Sequence, residues 1–251
     1  MSKLIIANWK MNLGLSASQE LATAYKQELT GLDGVELGVC ASEFALTTVA
    51  KELKGTKIGL GAQNCFWETR GAYTGESAPA SLEECGCRYV LLGHSERRQY
   101  LNESCRVVNL KLKQVLATSH LWPIVCVGES ADVRQAGRHL AFVDGQIKRA
   151  LVGLTPGVAG RLVLAYEPIW AIGTGLAATP DDAAEMHAAI RARLVKILGA
   201  ALGVSTPILY GGSVNGVNAG AFLKTKHVDG LLVGGASLKI AEFKKIAKIR
   251  H

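Results

Sequence analysis

The sequence predicts one domain built as a barrel of about eight parallel β-strands, each followed by a helix. Short runs of apolar and β-branched residues recur along the 251 residues, and helix signals fall between them. Each interval is long enough for a crossover helix, whereas hairpin-linked strands would lie much closer together. About eight strands in ~250 residues match a (β/α)8 barrel, with an open doubly wound sheet as the alternative.

The elements follow one another without a linker. The predicted strands start near Leu4, Val35, Ile58, Tyr89, Ile124, Leu162, Ile208 and Leu231. The segment 16–19 (Ser-Ala-Ser-Gln) has the pattern of a capping box and predicts a helix that runs toward Gly31. The segment 179–182 (Thr-Pro-Asp-Asp) combines a cap, a proline at the first helical position and acids in the first turn. Because no stretch is rich in Pro and Ser, we expect residues 1–251 to form a single domain.

Composition narrows the class of protein. The six cysteines are scattered without a CxxC pair, which favours reduced thiols and a cytoplasmic location. The net charge of +7 comes from dispersed Lys and Arg, so we expect no nucleic-acid partner, although the positive field favours a small anionic substrate. No apolar run approaches the ~20 residues that span a bilayer, and we expect no membrane contact. The six histidines show no metal-ligand spacing, so no metal is expected.

Polar and glycine residues follow five of the predicted strands. They are Asn8 to Lys10 after the first, Gly93 to Arg98 after the fourth, Glu167 after the sixth, Gly211 to Val214 after the seventh and Gly234 to Ser237 after the eighth. Active sites of such barrels lie at the carboxyl ends of the strands. A cation, a histidine, a carboxylate and two glycine turns there suit proton transfer next to a carbonyl, with a phosphate held by backbone N–H groups. Each residue alone is typical of an ordinary surface or core position, and only their joint occurrence favours catalysis.

One glycine motif points toward a different chemistry. Residues 173–178 fit the dinucleotide-binding pattern GxGxxA. That motif requires a helix that opens within the glycines directly after a strand. Here the helix signal at Thr179 follows the motif, and residues 168–172 separate it from the strand. We therefore interpret residues 168–178 as a mobile lid and expect no nicotinamide cofactor.

Several segments together resemble the triosephosphate isomerase family from one end of the chain to the other. They are 7–12 (ANWKMN), 61–64 (GAQN), 71–76 (GAYTGE), 93–98 (GHSERR), 125–129 (VCVGE), 165–175 (AYEPIWAIGTG), 210–214 (YGGSV) and 232–237 (LVGGAS). The resemblance implies a single-domain TIM barrel without cofactors that interconverts dihydroxyacetone phosphate and D-glyceraldehyde 3-phosphate in glycolysis and gluconeogenesis. The chain departs from the family in the lid, where Leu176 stands in place of the lysine of many members, which concerns lid closure rather than chemistry.

The resemblance also implies a role for each residue of the site. Glu167 would be the base that moves a proton between neighbouring carbons through an enediolate. His94 would be a neutral electrophile with a lowered pKa that polarises the carbonyl oxygens. Asn8 and Lys10 would support the developing negative charge. The supporting residues would be Ser95, Glu96 and Cys126, of which Glu96 lies behind Lys10 and His94 and Cys126 packs near Glu167. The phosphate would be held by N–H groups of Gly173, Ser213, Gly234 and Gly235.

The segment from Cys65 to Pro79 predicts an interface. It is a long loop that carries three aromatic residues, and loops of this length are usually functional. The resemblance implies that this loop inserts into a second copy of the chain to form a homodimer. Thr74 would then reach the partner's Asn8, Lys10, His94 and Glu96, and Arg97 would pair with Glu76 across the interface.

Two other functions are compatible with such a barrel. A Schiff-base aldolase would need a lysine within the strand-end cluster, and Lys10 is the candidate. A barrel that binds or scaffolds without catalysis is the second, and the joint presence of Lys10, His94 and Glu167 argues against it.

Overall fold

The fold is a closed (β/α)8 barrel in a computed structural model that describes residues 2–155, 157, 159–172 and 178–249. Within these ranges, eight parallel strands pair in sequence order, and the eighth pairs with the first. The strands are β1 (Lys3–Asn8), β2 (Val35–Ala41), β3 (Gly59–Ala62), β4 (Cys87–Leu92), β5 (Trp122–Val127), β6 (Val163–Tyr166), β7 (Ile208–Tyr210) and β8 (Gly230–Val233). All predicted strand starts are confirmed to within two residues. The pairing of β1 with β8 rules out the open sheet.

Helices surround this barrel in the described part of the chain. They are α1 (Leu15–Leu29), α2 (Leu46–Leu53), α3 (Pro79–Glu84), α4 (Ser95–Tyr100), α5 (Cys105–Thr118), α6 (Ala131–Gln135), α7 (His139–Ala150), α8 (Pro180–Leu198), α9 (Ala200–Ser205), α10 (Ala219–Lys224) and α11 (Ile240–Ala247). None of the described helices is both long and apolar enough to cross a membrane.

The two predicted helix starts have opposite outcomes. At α8 the capping box is present, because Thr179 and Asp182 each bind the backbone N–H of the other. At α1 the predicted helix toward Gly31 is confirmed but its capping box is wrong, because the helix begins at Leu15 with Gly14 as its cap and without a side-chain cap bond. The physical reason is that the helix starts one residue before Ser16, so Ser16 lies inside α1 and not at its cap position, and Gln19 donates to Glu52 instead.

The apolar core has two layers. The inner layer fills the barrel with side chains that alternate along the strands: Leu4 and Ile6 on β1, Tyr89 and Leu91 on β4, Ile124 and Cys126 on β5, and Val163 and Ala165 on β6. The other face of each strand packs against the helices in a larger outer layer. The barrel is therefore packed with side chains, and its interior offers no channel.

Glycines on two neighbouring strands make room for one large ring inside the barrel. A Cβ at Gly59 would lie 2.5 Å from the Tyr89 ring, and one at Gly38 would lie 2.9 Å from it. Gly61 is equally restricted, because a Cβ there would lie 2.6 Å from the sulfur of Cys40. The Tyr89 hydroxyl donates to Glu36 at 2.5 Å, toward the amino-terminal end of the barrel. The glycines of β2 and β3 thus let an aromatic residue close the bottom of the barrel.

A histidine is buried between the barrel wall and α8. His187 has no exposed surface and its ring lies edge-on to Tyr166, with 5.9 Å between the ring centroids. Its Nδ1 donates a 3.0 Å hydrogen bond to the carbonyl of His227, and Nε2 has no partner among the described residues. Burial lowers the pKa of His187 to about 4, so this imidazole is neutral at physiological pH.

Candidate active site at the mouth of the barrel

The carboxyl ends of five strands surround one cavity of about 340 Å³. Its walls include Asn8 at the end of β1, His94 after β4, Glu167 after β6, and the glycine turns after β7 and β8. This volume lies in the range of small-molecule sites. The structure therefore brings Asn8, Lys10, His94, Glu167 and the two glycine turns together, as the strand-end pattern predicts. Gly173 and Leu176, which the resemblance adds, lie outside the described residues.

Glu167 is held at both its side chain and its backbone. Its carboxylate is buried, with Oε1 2.9 Å from His94 Nε2. Oε2 accepts a 2.8 Å hydrogen bond from the backbone N–H of Ser95. The β5–α6 loop approaches closely, since a Cβ on Gly128 would lie 1.8 Å from the Glu167 carbonyl oxygen. Glycine at 128 is thus what allows the Glu167 backbone to take this position.

His94 forms the amino-terminal cap of α4. Its Nδ1 accepts a 3.3 Å hydrogen bond from the backbone N–H of Glu96. A nitrogen that accepts such a bond carries no proton, so this contact favours the neutral tautomer with hydrogen on Nε2. Nε2 then donates to Glu167 Oε1 at 2.9 Å.

Burial and charge act in opposite directions on this pair. Burial raises the pKa of Glu167, but His94 and the Ser95 amide outweigh it and hold the pKa below its usual value. Burial lowers the pKa of His94, but the Glu167 and Glu96 carboxylates outweigh it and raise the pKa above its usual value. The lowered histidine pKa that the resemblance implies does not hold in this arrangement, because the Glu167 carboxylate lies against Nε2.

Lys10 also lines the cavity. Its Nζ lies 2.6 Å from Glu96 Oε1, in a partly exposed ion pair. The Lys10 Cε lies 3.4 Å from the place where a Cβ on Gly234 would stand. Asn8 accepts the backbone N–H of Lys10 at Oδ1, at 3.0 Å, so its Nδ2 is left for the cavity. An ammonium and an amide donor thus converge beside the β8 glycine turn.

The two glycine turns after β7 and β8 form one wall of the cavity. The backbone N–H groups of Ser213, Gly234 and Gly235 donate to no acceptor among the described residues. The Ser213 hydroxyl donates to the carbonyl of Ala171 at 2.7 Å, which joins this wall to the segment that leads toward Gly173. Gly235 opens a short 3-10 turn that ends at Leu238. Unpaired N–H groups in such turns are the usual donors to phosphate oxygens.

Cys126 lies inside the barrel and is fully buried. Burial and the nearby Glu167 charge raise the pKa of its thiol well above the usual value, so the sulfur is uncharged. Such a thiol packs as a small apolar group and is a poor nucleophile.

A second, larger cavity of about 600 Å³ shares Asn8, Lys10 and His94 with the first. Its rim exposes apolar side chains, among them Met11 at 93%, Tyr100 at 71% and Leu101 at 61% exposure. An exposed apolar rim around a deep cavity is typical of a protein–protein contact.

The loop from Cys65 to Pro79 forms a compact knob on the same chain. Phe66 stacks on Trp67 and contacts Tyr73, with ring centroids 4.0 and 4.7 Å apart. The Phe66 N–H donates to the carbonyl of Ser77 at 2.8 Å and closes the base of the loop. Thr74 lies exposed at the tip, as does Glu76 beside it.

Arg97, predicted to reach Glu76 of a second copy, has a partner within its own chain. Its Nε donates to Glu103 Oε2 at 2.6 Å. Glu103 also binds Lys111 at 2.8 Å and accepts the N–H of Gly93 at 3.0 Å, which fixes the turn before His94. A pairing of Arg97 with Glu76 across an interface stays a prediction.

Sequence reasoning assigned no role to Gln63, Ser42 or Glu103, although all three support the site. Gln63 and Ser42 both donate to the carbonyl of Lys10. Gln63 follows β3 directly, so its position at a strand end was the available signal. Glu103 has no such signal, because it lies in the loop before α5.

Comparison with known proteins decides the family. The sequence model described as "Triosephosphate isomerase" matches residues 3–250. The chain belongs to the triosephosphate isomerase family. A curated protein of that name from Herpetosiphon aurantiacus is 46% identical over 98% of both chains. Triosephosphate isomerases of Chloroflexus aurantiacus and Endomicrobium trichonymphae are 46% and 44% identical, each over at least 97% of both chains.

Membership of the triosephosphate isomerase family confirms the resemblance drawn from the motifs and makes the chain an isomerase by descent. The family assignment also argues against the two alternatives for the strand-end cluster, a Schiff-base aldolase and a non-catalytic scaffold.

Proposed function

We propose that this protein interconverts dihydroxyacetone phosphate and D-glyceraldehyde 3-phosphate through an enediolate. The observation that carries the proposal is the placement of Glu167, His94 and Lys10 around one cavity whose remaining wall offers unpaired backbone N–H groups. This proton transfer requires a carboxylate base, a neutral hydrogen-bond donor to the substrate oxygens, and groups that bind the phosphate.

The phosphate of the substrate binds at the glycine turns in this proposal. N–H groups of Ser213, Gly234 and Gly235 donate to its oxygens, and the Lys10 ammonium beside Gly234 attracts its charge. The resemblance adds Gly173 as a further donor, in the part of the chain outside the described residues. Anchoring the phosphate there leaves the carbonyl end of the substrate facing Glu167 and His94.

Glu167 is the base. It is ionised in this structure, but its oxygens are bound to His94 and to the Ser95 amide. To reach a substrate carbon the carboxylate must leave both contacts. Its pKa then rises, because the two groups that lower it are lost while burial persists. The base therefore becomes stronger as it reaches the carbon it must deprotonate.

His94 acts as the neutral electrophile once Glu167 has moved. The largest cause of its raised pKa leaves with the carboxylate, while burial and Lys10 continue to lower that pKa against the charge of Glu96. The backbone N–H of Glu96 keeps Nδ1 free of a proton. Nε2–H is then available to donate to the two oxygens of the enediolate, with Asn8 Nδ2 and Lys10 as further donors.

The proton balance is simple. Glu167 takes a proton from C1 of dihydroxyacetone phosphate, and the electron pair moves onto the carbonyl oxygen at C2 to form the enediolate. The proton that oxygen O1 carries moves to oxygen O2, and Glu167 returns its proton to C2. Nothing is oxidised or reduced overall, so the scheme needs no cofactor.

We also propose that the protein acts as a cytoplasmic homodimer. The exposed knob at Thr74 and the 600 Å³ cavity beside Lys10 are a convex and a concave surface on one chain. In a symmetric dimer each knob would fill the cavity of the other copy and cover its apolar rim. The partner would then shield Lys10 and His94 from water on the side away from the phosphate.

The test is isomerisation in deuterated water, followed by analysis of the product. Proton transfer through Glu167 predicts solvent deuterium at the carbon that receives the proton, since the carboxyl proton exchanges with water. Glu167→Gln, which keeps the shape but cannot accept a proton, should bind substrate and lose nearly all turnover. A direct hydride shift would leave the product without deuterium, and an active Glu167→Gln variant would refute the assignment of the base.

A further inference from the structure

Lys10 has a backbone conformation that its sequence does not favour. Its φ is +53°, a value in the left-handed region that glycine adopts readily and lysine does not. Such a residue keeps this conformation only where its surroundings hold it there. The contacts around Lys10 must therefore offset the cost of the turn.

Those contacts concentrate on the peptide groups of Lys10. Its carbonyl accepts a 2.9 Å hydrogen bond from Gln63 Nε2 and a 3.1 Å hydrogen bond from Ser42 Oγ. Its N–H donates to Asn8 Oδ1. Gln63 Nε2 also donates to the carbonyl of Cys40 at 3.1 Å, and two carbonyl acceptors settle which end of the amide is nitrogen. The ends of β1, β2 and β3 thus meet at this one carbonyl.

The left-handed backbone conformation sets the direction in which the Lys10 side chain leaves the backbone. In this direction, Nζ reaches Glu96 at 2.6 Å and the side chain passes beside Gly234. The four-carbon side chain of lysine is flexible, so its ammonium can be held at one place only if the backbone at Lys10 is held as well. A different backbone conformation would point the side chain away from the cavity.

We propose that Gln63 and Ser42 are positioning residues that clamp the Lys10 carbonyl and thereby hold the ammonium against the substrate. Neither residue needs to touch the substrate. The inference rests on the proposed role of Lys10 in isomerisation, and it assigns a task to two side chains that the reaction scheme does not use.

The test is a double-mutant comparison of kcat/KM for dihydroxyacetone phosphate. Gln63→Met, which keeps the volume but has no donor, should lower kcat/KM by between about tenfold and about a hundredfold, as expected for a catalytic group displaced by ~1 Å. Ser42→Ala should cause a smaller loss of the same kind. In a Lys10→Ala background both changes should have almost no further effect, because the group they position is gone.

Matched controls are available on α5 and α9. Gln114→Met removes an amide that contacts Thr118, and Ser205→Ala removes a hydroxyl that contacts the carbonyl of Leu202. Both should leave kcat/KM unchanged. Because Gln63 also lines the 600 Å³ cavity, sedimentation at the assay concentration must show the same oligomer for all variants. If Gln63→Met does not fold, the Ser42→Ala pair still gives the comparison.

Equal losses in the wild-type and Lys10→Ala backgrounds would overturn the clamp, because the residues would then act on something other than Lys10. A crystal structure of Gln63→Met in which Lys10 keeps its φ near +53°, together with full activity, would overturn it as well. Full activity of Lys10→Ala alone is a different result. It would refute the proposed role of Lys10, while the φ of Lys10 in the variant structures would still report on the clamp.

Discussion

Acidification should destabilise this protein through one buried histidine. His187 is fully buried, and burial lowers its pKa to about 4, whereas in the unfolded chain the pKa returns to ~6.5. Between these two values the unfolded chain binds a proton that the folded chain does not. The free energy of unfolding must therefore fall as the pH drops below ~6.5 and level off below about 4.

The size of the effect follows from the two pKa values. Lowering the pH from ~7.5 to ~5 should remove about 2 kcal/mol of stability through His187 alone. The carboxylates of the protein add their own dependence below that range, and His94 acts in the opposite direction because its pKa is raised. A variant that lacks only the His187 titration is needed to separate these contributions.

His187→Asn is that variant, because the asparagine amide can donate to the His227 carbonyl but cannot ionise. Urea unfolding of both proteins should be followed across this pH range. The variant is less stable near neutral pH, since it leaves a cavity beside Tyr166, but that cost does not depend on pH. The stability difference between the proteins should shrink by about 2 kcal/mol at ~pH 5. Parallel pH dependences would refute the reasoning.

Three further predictions concern the base, the interface and the barrel. Glu167→Asp withdraws the carboxylate by ~1 Å and should lower kcat by about 10²-fold; a variant with normal turnover would mean that the base is misassigned. Thr74→Arg should overfill the cavity of a second copy and weaken the dimer together with activity, so sedimentation that shows an undisturbed dimer, or a fully active monomer, would contradict the interface. Gly59→Ala places a Cβ 2.5 Å from the Tyr89 ring and should lower the free energy of unfolding, by about 1–3 kcal/mol in urea titrations; an equally stable variant would show that the ring can move aside.

Strand positions and strand ends were predictable because they depend on local patterns. Apolar runs mark the strands, and parallel strands in a closed barrel bring their carboxyl ends to one face. Asn8, His94 and Glu167 could therefore be placed together before any contact was known. The start of α8 was predictable for the same reason, since the Thr179 capping box is complete within four residues.

Contacts between distant segments were not predictable from such patterns. The segment at 16–19 has the pattern of a capping box, but α1 already starts at Leu15, and Gln19 donates to Glu52, which lies 33 residues away in the chain. The left-handed turn at Lys10 depends on donors that lie 32 and 53 residues away in the chain. The docking of Glu167 against His94, which reverses the expected histidine pKa, likewise joins the ends of β6 and β4. Each of these depends on which strands are neighbours in space.

The side chains that fill the barrel close the site on the side of the amino-terminal face. Among the described residues, Tyr89 and the side chains layered above it block the way to the amino-terminal face, so a molecule enters and leaves the 340 Å³ cavity at the mouth of the barrel. Substrate cannot enter while product still occupies the cavity, so the site holds one triose at a time. Each of the two trioses should therefore compete directly with the other, and the net direction of flux should follow their concentrations.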